Sequence, residues 1–378
     1  MKTFDAVVIG LGGMGSAIAY DLASHGARVL GLEKFSLNHT NGSSHGRTRI
    51  IRTAYFEHPN YVPLVKRAMD LWLNLQAESG MDLFKLTGGI MFGPPESELI
   101  SGSIESANRH ALPHETLSSE QVKSRFPAFQ PDESETAVYE SNAGILFPEK
   151  CIEAHTRLAK GFGAELHFND PLIEWRAERD GVFAKTESES YHAKWGIFAS
   201  GAWLTELIPE LKLPLQCERQ TAFWFKPSKN ESLFIADKMP FFIWCLQGGN
   251  HFYGIPDFGE GVKVARHHGG EYTSPAAVNR KVTEQDEMPV RHFLDSHTPW
   301  ASGSVLSSTT CLYTNSPDGH FLIDQHPKHR NIVIVSACSG HGFKFAAAIG
   351  EIVREMVLEG KTTQDISLFN IERFHGNE

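Results

Sequence analysis

Six residues close to the N-terminus have the types and spacing of a turn that binds a dinucleotide. They are Gly10-Leu11-Gly12-Gly13-Met14-Gly15, which fits the pattern G-x-G-x-x-G. In such a turn Gly10 permits the sharp bend, Gly12 lets the backbone approach a pyrophosphate, and Gly15 allows a helix to pack closely on a strand. The following helix then offers free N–H groups and the positive end of its dipole to the phosphates.

A carboxylate follows where ribose recognition needs one. Glu33 ends the second predicted strand, about twenty residues beyond the turn, and can accept hydrogen bonds from ribose hydroxyls there. The alternative is a structural glycine turn with an incidental Glu. The predicted strand before the turn and helix after it favour the dinucleotide. The motif alone fits FAD and NAD equally.

Two arginines could bind an anion. Arg49 and Arg52 are three residues apart, a spacing that puts both guanidiniums on one face of a helical turn. A bidentate arginine is a good receptor for a carboxylate. The alternative is a basic turn exposed to solvent.

A lysine and a histidine share one face of a predicted strand. The strand is Val262 to His267, so Lys263 and His267 face the same way and Arg266 faces the other. A fixed cation in a dry site would stabilise negative charge that develops in a reaction. A solvent-facing stripe is the alternative.

A third cation occupies an unfavourable position. Residues 339–342 are predicted to form a turn before a helix from about Lys344 to Glu359. Lys344 would lie in the first helical turn, next to the positive end of the dipole. A side chain kept in an energetically unfavourable position of this kind indicates a functional role. Cys311, considered by itself, is typical of a small buried hydrophobic residue.

A β-turn-α-β unit is predicted to hold the glycine turn, with strands at Phe4–Ile9 and Arg28–Leu32 and a helix at Ser16–Ser24. An amphipathic helix follows Pro59 and ends at Gly80. Periodicity is weak from about residue 90 to 140. Further strands are predicted at Gln220–Phe225, Phe241–Leu246, His251–Ile255, Val262–His267 and Asn331–Ser336, with a tight hairpin at Gly248-Gly249.

Composition indicates a globular protein of about two domains. The chain has 378 residues, 41% of them hydrophobic, and a formal net charge of −10. This balance excludes a general basic footprint for nucleic acid or anionic membranes. No stretch reaches the roughly 18 apolar residues that a membrane span needs. Five cysteines without Cys-x-x-Cys spacing predict reduced thiols in a cytoplasmic protein, without a structural zinc or other metal site.

Three later stretches resemble one family of flavoenzymes. Ser43-Ser44-His45-Gly46-Arg47-Thr48-Arg49-Ile50-Ile51-Arg52 resembles the segment after the second strand in monomeric sarcosine oxidases. Cys311-Leu312-Tyr313, with Pro317-Asp318 and Phe321-Leu322-Ile323-Asp324, resembles their covalent-flavin segment. Ser339-Gly340-His341-Gly342-Phe343-Lys344-Phe345 resembles their C-terminal flavin-binding turn.

The resemblance extends to about Phe374 and therefore covers nearly the whole chain. It is to the group of sarcosine and N-methyltryptophan oxidases, which also includes pipecolate and fructosyl-amino-acid oxidases. Arg47 departs from the pattern, because the sarcosine and N-methyltryptophan enzymes usually carry Asp there.

This resemblance implies a role for each charged residue that matches. Arg52 and Lys344 would hold the substrate carboxylate, and Arg49 would lie beside the flavin ring. Lys263 would lie over the flavin and promote the reduction of O₂, for which a fixed cation is suited. His267 would line the amine pocket.

The same resemblance makes Cys311 the thioether link to the 8α-methyl group of the flavin, with a pKa lowered by nearby cations. Tyr313, Tyr253 and Gly340 match residues of the substrate cavity, and the turn at Gly201 matches a contact to the adenine half. The residues expected to bind FAD are Gly10, Gly12, Gly13, Gly15, Glu33, Ser43, Ser44, Arg49, Gly201, Cys311, Gly340, His341, Gly342, Phe343 and Lys344. Those expected to take part in catalysis are Lys263, His267 and Arg49.

The expected fold combines α/β and α+β parts, as in D-amino-acid-oxidase-like proteins. A discontinuous Rossmann-like FAD-binding domain would comprise residues 1–85, 145–212 and 312–378. A mainly antiparallel substrate domain would comprise residues 86–144 and 213–311. The molecule is expected to be a monomer.

The implied activity is oxidative demethylation of an N-methyl amino acid, a secondary amine with a carboxylate, by O₂. The products would be the amino acid, formaldehyde and H₂O₂. Three alternatives remain open: a cyclic or fructosyl amino acid as substrate, an FAD dehydrogenase with another electron acceptor, and a flavin-fold binding protein without turnover.

Overall fold

The structure is a computed structural model that describes residues 2–374, so the outermost positions of the expected FAD-binding domain lie outside it. The strands of this part of the chain are β1 (Lys2–Ile9), β2 (Val29–Glu33), β3 (Arg49–Ile51), β4 (Phe84–Leu86), β5 (Gly89–Gly93), β6 (Glu115–Ser118), β7 (Thr136–Glu140), β8 (Gly144–Leu146), β9 (Glu165–Phe168), β10 (Glu174–Glu178), β11 (Gly181–Lys185), β12 (Ser190–Phe198), β13 (Gln216–Phe225), β14 (Phe241–Cys245), β15 (His251–Ile255), β16 (Val262–His267), β17 (Tyr272–Thr273), β18 (Val305–Asn315), β19 (Leu322–His326) and β20 (His329–Ser336). Its α-helices are α1 (Gly13–Ser24), α2 (Tyr61–Ser79), α3 (Glu98–Arg109), α4 (Ser119–Arg125), α5 (Pro148–Gly161), α6 (Leu204–Leu207), α7 (Glu284–His297) and α8 (Ala346–Leu358).

The first sheet has a parallel centre in the order β9-β2-β1-β12-β20. Strands β10 and β11 extend it on one side of β12, and β19 pairs antiparallel with β20. The central strands are apolar where α1 and α5 pack on the sheet, and α8 packs against α1. The predicted β-turn-α-β unit is present, but α1 begins at Gly13 instead of Ser16, so the glycine turn enters the helix directly.

The second sheet has the order β17-β13-β16-β15-β14-β5-β7-β6, with β18 also paired to β13. It is antiparallel except at the β14–β5 pair. The hairpin between β14 and β15 turns at Gly248 and Gly249, whose φ values of 93° and 80° need glycine. This sheet and the first confirm the expected fold class.

A small third sheet of β3, β8 and β4 contains residues from both proposed domains. The expected boundaries after residues 85, 144 and 311 fall inside β4, β8 and β18. The division into two domains therefore stays a prediction, with strands shared at its borders.

The region between residues 90 and 140 contains more regular structure than its sequence pattern indicates. Helix α3 begins after Ser97, whose side chain accepts from the N–H of Ile100. Its buried face includes Ser103 and Ser106, and these polar residues conceal the helical period. Among residues 2–374, no helix has both the length and the apolar character that crossing a membrane requires.

Candidate active site

One cavity of about 500 Å³ brings the predicted residues together. Its walls come from the carboxyl ends of β1, β2, β12 and β20 and from the second sheet, where β16 and β18 contribute side chains. Every residue predicted to bind cofactor or substrate or to take part in catalysis lines this cavity, with the single exception of Gly15.

The glycine turn is shaped by close backbone contacts. Gly10 has a φ of +90°, and a Cβ there would lie 2.8 Å from the carbonyl oxygen of Ala199. A Cβ on Gly15 would lie 1.7 Å from the carbonyl oxygen of Gly10, so Gly15 serves helix packing. A Cβ on Gly12 would meet only the Ser44 hydroxyl, at 3.5 Å, and this side of the turn is open to a ligand.

Two side chains fasten the glycine turn to its neighbours. Glu33 accepts hydrogen bonds from the N–H of Leu11 at 2.8 Å and from the N–H of Phe35 at 3.0 Å. Ser44 Oγ accepts from the N–H of Gly13 at 3.1 Å. A carboxylate has about four acceptor positions, so Glu33 can still accept from ribose hydroxyls.

Arg49 and Lys263 are held by backbone carbonyl groups. Arg49 donates to the carbonyl oxygens of Thr48 at 2.8 Å and Ser43 at 2.7 Å. Lys263 Nζ donates to the carbonyl oxygens of Gly46 at 2.7 Å and Thr48 at 3.0 Å. Burial and the Arg49 charge hold the pKa of Lys263 well below 10.5. Backbone carbonyl groups therefore fix both side chains, and no carboxylate within residues 2–374 forms an ion pair with either.

The expectation of a low thiol pKa at Cys311 is wrong. Burial raises the pKa of Cys311, and the charges of Arg49 and Lys263 oppose this only in part. Arg47, which departs from the family pattern, pairs with Glu260 at 3.3 Å and lies over the ring of Trp224. Its charge therefore does not line the cavity.

Arg52 is 2% exposed and already holds a carboxylate. One terminal nitrogen donates to both oxygens of Glu57, at 2.8 and 2.7 Å, and the other donates to the Ala54 carbonyl at 2.8 Å. Burial opposes ionisation of Glu57, but Arg52, His341 and Lys344 keep its pKa below the usual value. The Arg52 guanidinium is therefore already paired with a carboxylate of its own chain, through one of its two terminal nitrogens.

Lys344 lies beside this pair. Its Nζ donates to the carbonyl oxygen of His341 at 2.6 Å and to the Tyr55 hydroxyl at 3.3 Å. Burial lowers the pKa of Lys344 to about 7, and the Arg52 charge acts in the same direction. The lysine therefore changes charge near neutral pH.

Neutral rings line another part of the cavity. Nδ1 of His267 lies 3.2 Å from the Tyr313 hydroxyl, and burial holds the pKa of His267 well below 6.5. Burial also raises the pKa of Tyr253 to about 12. A Cβ on Gly340 would lie 2.7 Å from both the His267 and the Tyr313 ring, so glycine is needed for their packing.

The predicted local structure around the arginines needs correction. Arg49 begins strand β3 and Arg52 follows it, so the two do not share a helical turn. The β-branched pair Ile50 and Ile51 favours a strand, which pairs with β8. Lys344 lies in a 3₁₀ turn at Phe343–Phe345 before α8, rather than in the first turn of the α-helix.

Four polar residues next to the charged groups are among those that the sequence analysis did not predict. Glu57, His45 and Thr48 line the cavity, and Tyr55 contacts Lys344 behind its wall. His45 is buried among cations, and burial with the Arg49 charge lowers its pKa to about 3. A carboxylate five residues after Arg52 was the available signal for Glu57.

The residues present fit a dinucleotide cofactor that extends beyond the glycine turn. The turn leaves room at Gly12, Glu33 keeps free acceptor positions, and the cavity continues past Arg49 to the backbone at Gly340. Fold and cavity together define a dinucleotide-binding oxidoreductase. The chain belongs to the FAD dependent oxidoreductase family, whose sequence profile matches residues 5–356.

Named relatives agree with the resemblance found in the sequence. A monomeric sarcosine oxidase from Streptomyces avermitilis is 42% identical over 376 residues, covering 98% of each chain. An N-methyl-L-tryptophan oxidase from Escherichia coli is 34% identical over 374 residues, covering 98% of this chain and 99% of that protein. The solved structure of L-proline dehydrogenase from P. horikoshii shares the fold, with a TM-score of 0.87 at 24% identity over 99% of this chain and 98% of that one.

Proposed function

We propose that this protein is an FAD-dependent oxidase that demethylates an N-methyl amino acid and passes the electrons to O₂. The observation that carries the proposal is the distribution of charge in one cavity. Arg52 and Lys344 lie together at one place, and Lys263 is a separate buried cation. The sarcosine and N-methyl-L-tryptophan oxidases similar to this chain support the substrate class.

Different residues of the chain would bind the carboxylate and the amine of the substrate. Arg52 and Lys344 bind the substrate carboxylate. The neutral His267, Tyr253 and Tyr313 surround the amine, and the absence of charge on these rings favours an uncharged amine. FAD, when bound, would supply the two-electron redox chemistry.

Lys263 would act in the oxygen half of the reaction. Reduction of O₂ develops negative charge, and a fixed ammonium group in a dry site stabilises that charge. The carbonyl oxygens of Gly46 and Thr48 aim the ammonium group and oppose the effect of burial, which lowers the pKa of Lys263. Arg49 adds a second fixed positive charge beside it.

Product analysis on a substrate panel tests the proposal. Purified protein is mixed with sarcosine, N-methyltryptophan, pipecolate or a fructosyl amino acid, and O₂ uptake, H₂O₂ and formaldehyde are measured. Equal amounts of formaldehyde and H₂O₂ from an N-methyl amino acid support the proposal. If H₂O₂ forms without formaldehyde, and only from pipecolate or a fructosyl amino acid, the substrate is a cyclic or fructosyl amino acid and not an N-methyl amino acid. Turnover that occurs only with an artificial electron acceptor would show that the protein is a dehydrogenase and not an oxidase.

We further propose that FAD is attached covalently through Cys311, which lines the cavity close to the cations Arg49 and Lys263. Acid precipitation of the native protein should then give a yellow pellet. Cys311→Ser should release its flavin to the supernatant, whereas Cys338→Ser, a change at another cavity cysteine, should not. Release from the native protein would contradict the link. The expected monomeric state and cytoplasmic location also stay proposals.

A further inference from the structure

The chain from Arg52 to Glu57 wraps around the guanidinium of Arg52. Arg52 donates to the carbonyl oxygen of Ala54 and to the carboxylate of Glu57. Its guanidinium carbon lies 4.3 Å from the ring centre of Tyr55 and 4.6 Å from that of Phe56. The shape of this segment, named here the Arg52 loop, therefore determines where the guanidinium points.

A carboxylate from the second sheet holds the Arg52 loop from behind. Glu140, at the end of β7, is fully buried, and its Oε1 accepts three hydrogen bonds. The donors are the N–H of Thr53 at 3.2 Å, the hydroxyl of Thr53 at 2.6 Å and the N–H of Ala54 at 2.7 Å. These are the two residues that directly follow Arg52.

Glu140 lies outside the cavity wall, and no cation in the described part of the chain is bonded to it. Its Oε2 has no hydrogen-bond partner within residues 2–374, and Glu140 is not among the residues that line the cavity. Burial raises the pKa of Glu140, which the bonds from Thr53 and Ala54 and the charge of Arg52 oppose. A buried carboxylate whose hydrogen-bond donors are two backbone N–H groups and one hydroxyl is costly, which points to a need for strong bonds at this place.

We propose that Glu140 is a positioning residue, which fixes the Arg52 loop and thereby aims the Arg52 guanidinium at the substrate carboxylate. The inference rests on the proposed function for the identity of the carboxylate. Glu140 acts through the Arg52 loop, because its three donors are the N–H groups of Thr53 and Ala54 and the hydroxyl of Thr53.

Two substitutions separate position from charge. Glu140→Gln keeps an oxygen that can accept the same three bonds but removes the negative charge. Glu140→Ala removes both. Glu355→Ala is the matched control, since Glu355 is a buried carboxylate that accepts from the N–H of Thr363 and two threonine hydroxyls away from the cavity.

The FAD-loaded enzymes are compared by KM and kcat for sarcosine or N-methyltryptophan, whichever the native enzyme oxidises, by the Kd of acetate from the flavin spectrum, and by Tm. For Glu140→Ala we expect KM and the acetate Kd to rise about tenfold or more, with kcat at saturation within about twofold. Glu140→Gln should keep both constants at or below the native values. Glu355→Ala should lower Tm without changing either constant. Arg52→Ala gives the reference for complete loss of the receptor.

Three results would overturn the inference. If KM and the acetate Kd of Glu140→Ala equal the native values, Glu140 is not needed to position the Arg52 loop. Lower constants in both Glu140 variants would show that the residue acts by charge repulsion of the ligand. If KM and the acetate Kd change as much in Glu355→Ala as in Glu140→Ala, the effect comes from a general loss of stability and not from the Arg52 loop.

Further measurements test the inference if Glu140→Ala does not fold or if the proposed function is wrong. If Glu140→Ala does not fold, Thr53→Val removes one of the three donors, and the acetate Kd should rise about threefold; an unchanged Kd overturns the inference. Acetate binding also separates this inference from the proposed function. Weaker acetate binding in Glu140→Ala supports the anchor even where the native enzyme oxidises no N-methyl amino acid.

Discussion

Buried side chains give the cavity two electrostatic environments. Arg52, which pairs with Glu57, and Lys344, whose pKa burial lowers to about 7, form one environment, while His267 and the tyrosines beside it stay neutral because burial moves each pKa away from neutrality. An amino acid with an uncharged amine matches this division. The types of these residues could be predicted from the sequence by motif. Their charge states could not, because burial and neighbouring charges determine them.

Lys263→Met should separate the two halves of the reaction. Anaerobic reduction of the flavin by substrate should stay within about twofold of native, while reoxidation by O₂ should slow by about a hundredfold or more, because the cation proposed to stabilise reduced oxygen is gone. Stopped-flow absorbance measures both rates. Arg266→Met, on the opposite face of β16, is the control. Equal reoxidation rates in Lys263→Met and native enzyme would remove this role.

Carboxylate binding should weaken as pH rises through Lys344. The pKa of free Lys344 is about 7, so above pH 7 a bound anion must draw a proton back onto the lysine. His341, with a pKa lowered to about 4, stays neutral in this range. The Kd of acetate should therefore increase between pH 7 and 9 by up to about tenfold per pH unit. Lys344→Met should flatten the profile, and a flat profile in the native enzyme would contradict it.

Many residues of the site lie in turns or at strand ends, although Tyr253 and Cys311 lie within β15 and β18. The glycine turn and the strand β16 were predictable, because their patterns are short and complete in the sequence. The stretch from Arg49 to Arg52 was not, because its conformation depends on pairing with the distant strand β8. Helix α3 was missed for a related reason: Ser106 is buried because its hydroxyl binds the Tyr55 carbonyl, a contact between segments.

Gly340→Ala tests whether this turn shapes the amine pocket. Gly340 and Gly360 have nearly the same φ, 77° and 78°, but only a Cβ at Gly340 meets other atoms. Both alanine variants should lose about 1 kcal/mol of stability from backbone strain. Only Gly340→Ala should also raise KM, because it displaces the His267 and Tyr313 rings. The same KM in both variants would remove the steric role.

At the scale of the whole molecule, the cavity wall is shared by two sheets. FAD in this cavity should therefore stabilise both sheets together. The predicted division into domains could only be approximate, because β4, β8 and β18 extend across its borders. Strand sharing of this kind depends on contacts between segments more than fifty residues apart, which a local pattern does not contain.

Cys311→Ser, in which FAD is expected to be exchangeable, allows this stabilisation to be measured. At about a thousandfold excess over Kd, FAD should add roughly 4 kcal/mol to the free energy of unfolding. Amide hydrogen exchange should slow both at the glycine turn and in β16 and β18. Protection confined to the first sheet would contradict a cofactor that extends to the second.

The most direct test of the account is one experiment on the flavin itself. Holoenzyme is mixed with an N-methyl amino acid without O₂ while the visible spectrum is recorded, and O₂ is then admitted. If the protein is an N-methyl amino acid oxidase, the oxidised flavin bands should disappear on mixing and return with O₂, with one formaldehyde and one H₂O₂ formed per cycle. Flavin bands that persist with both sarcosine and N-methyltryptophan would contradict it.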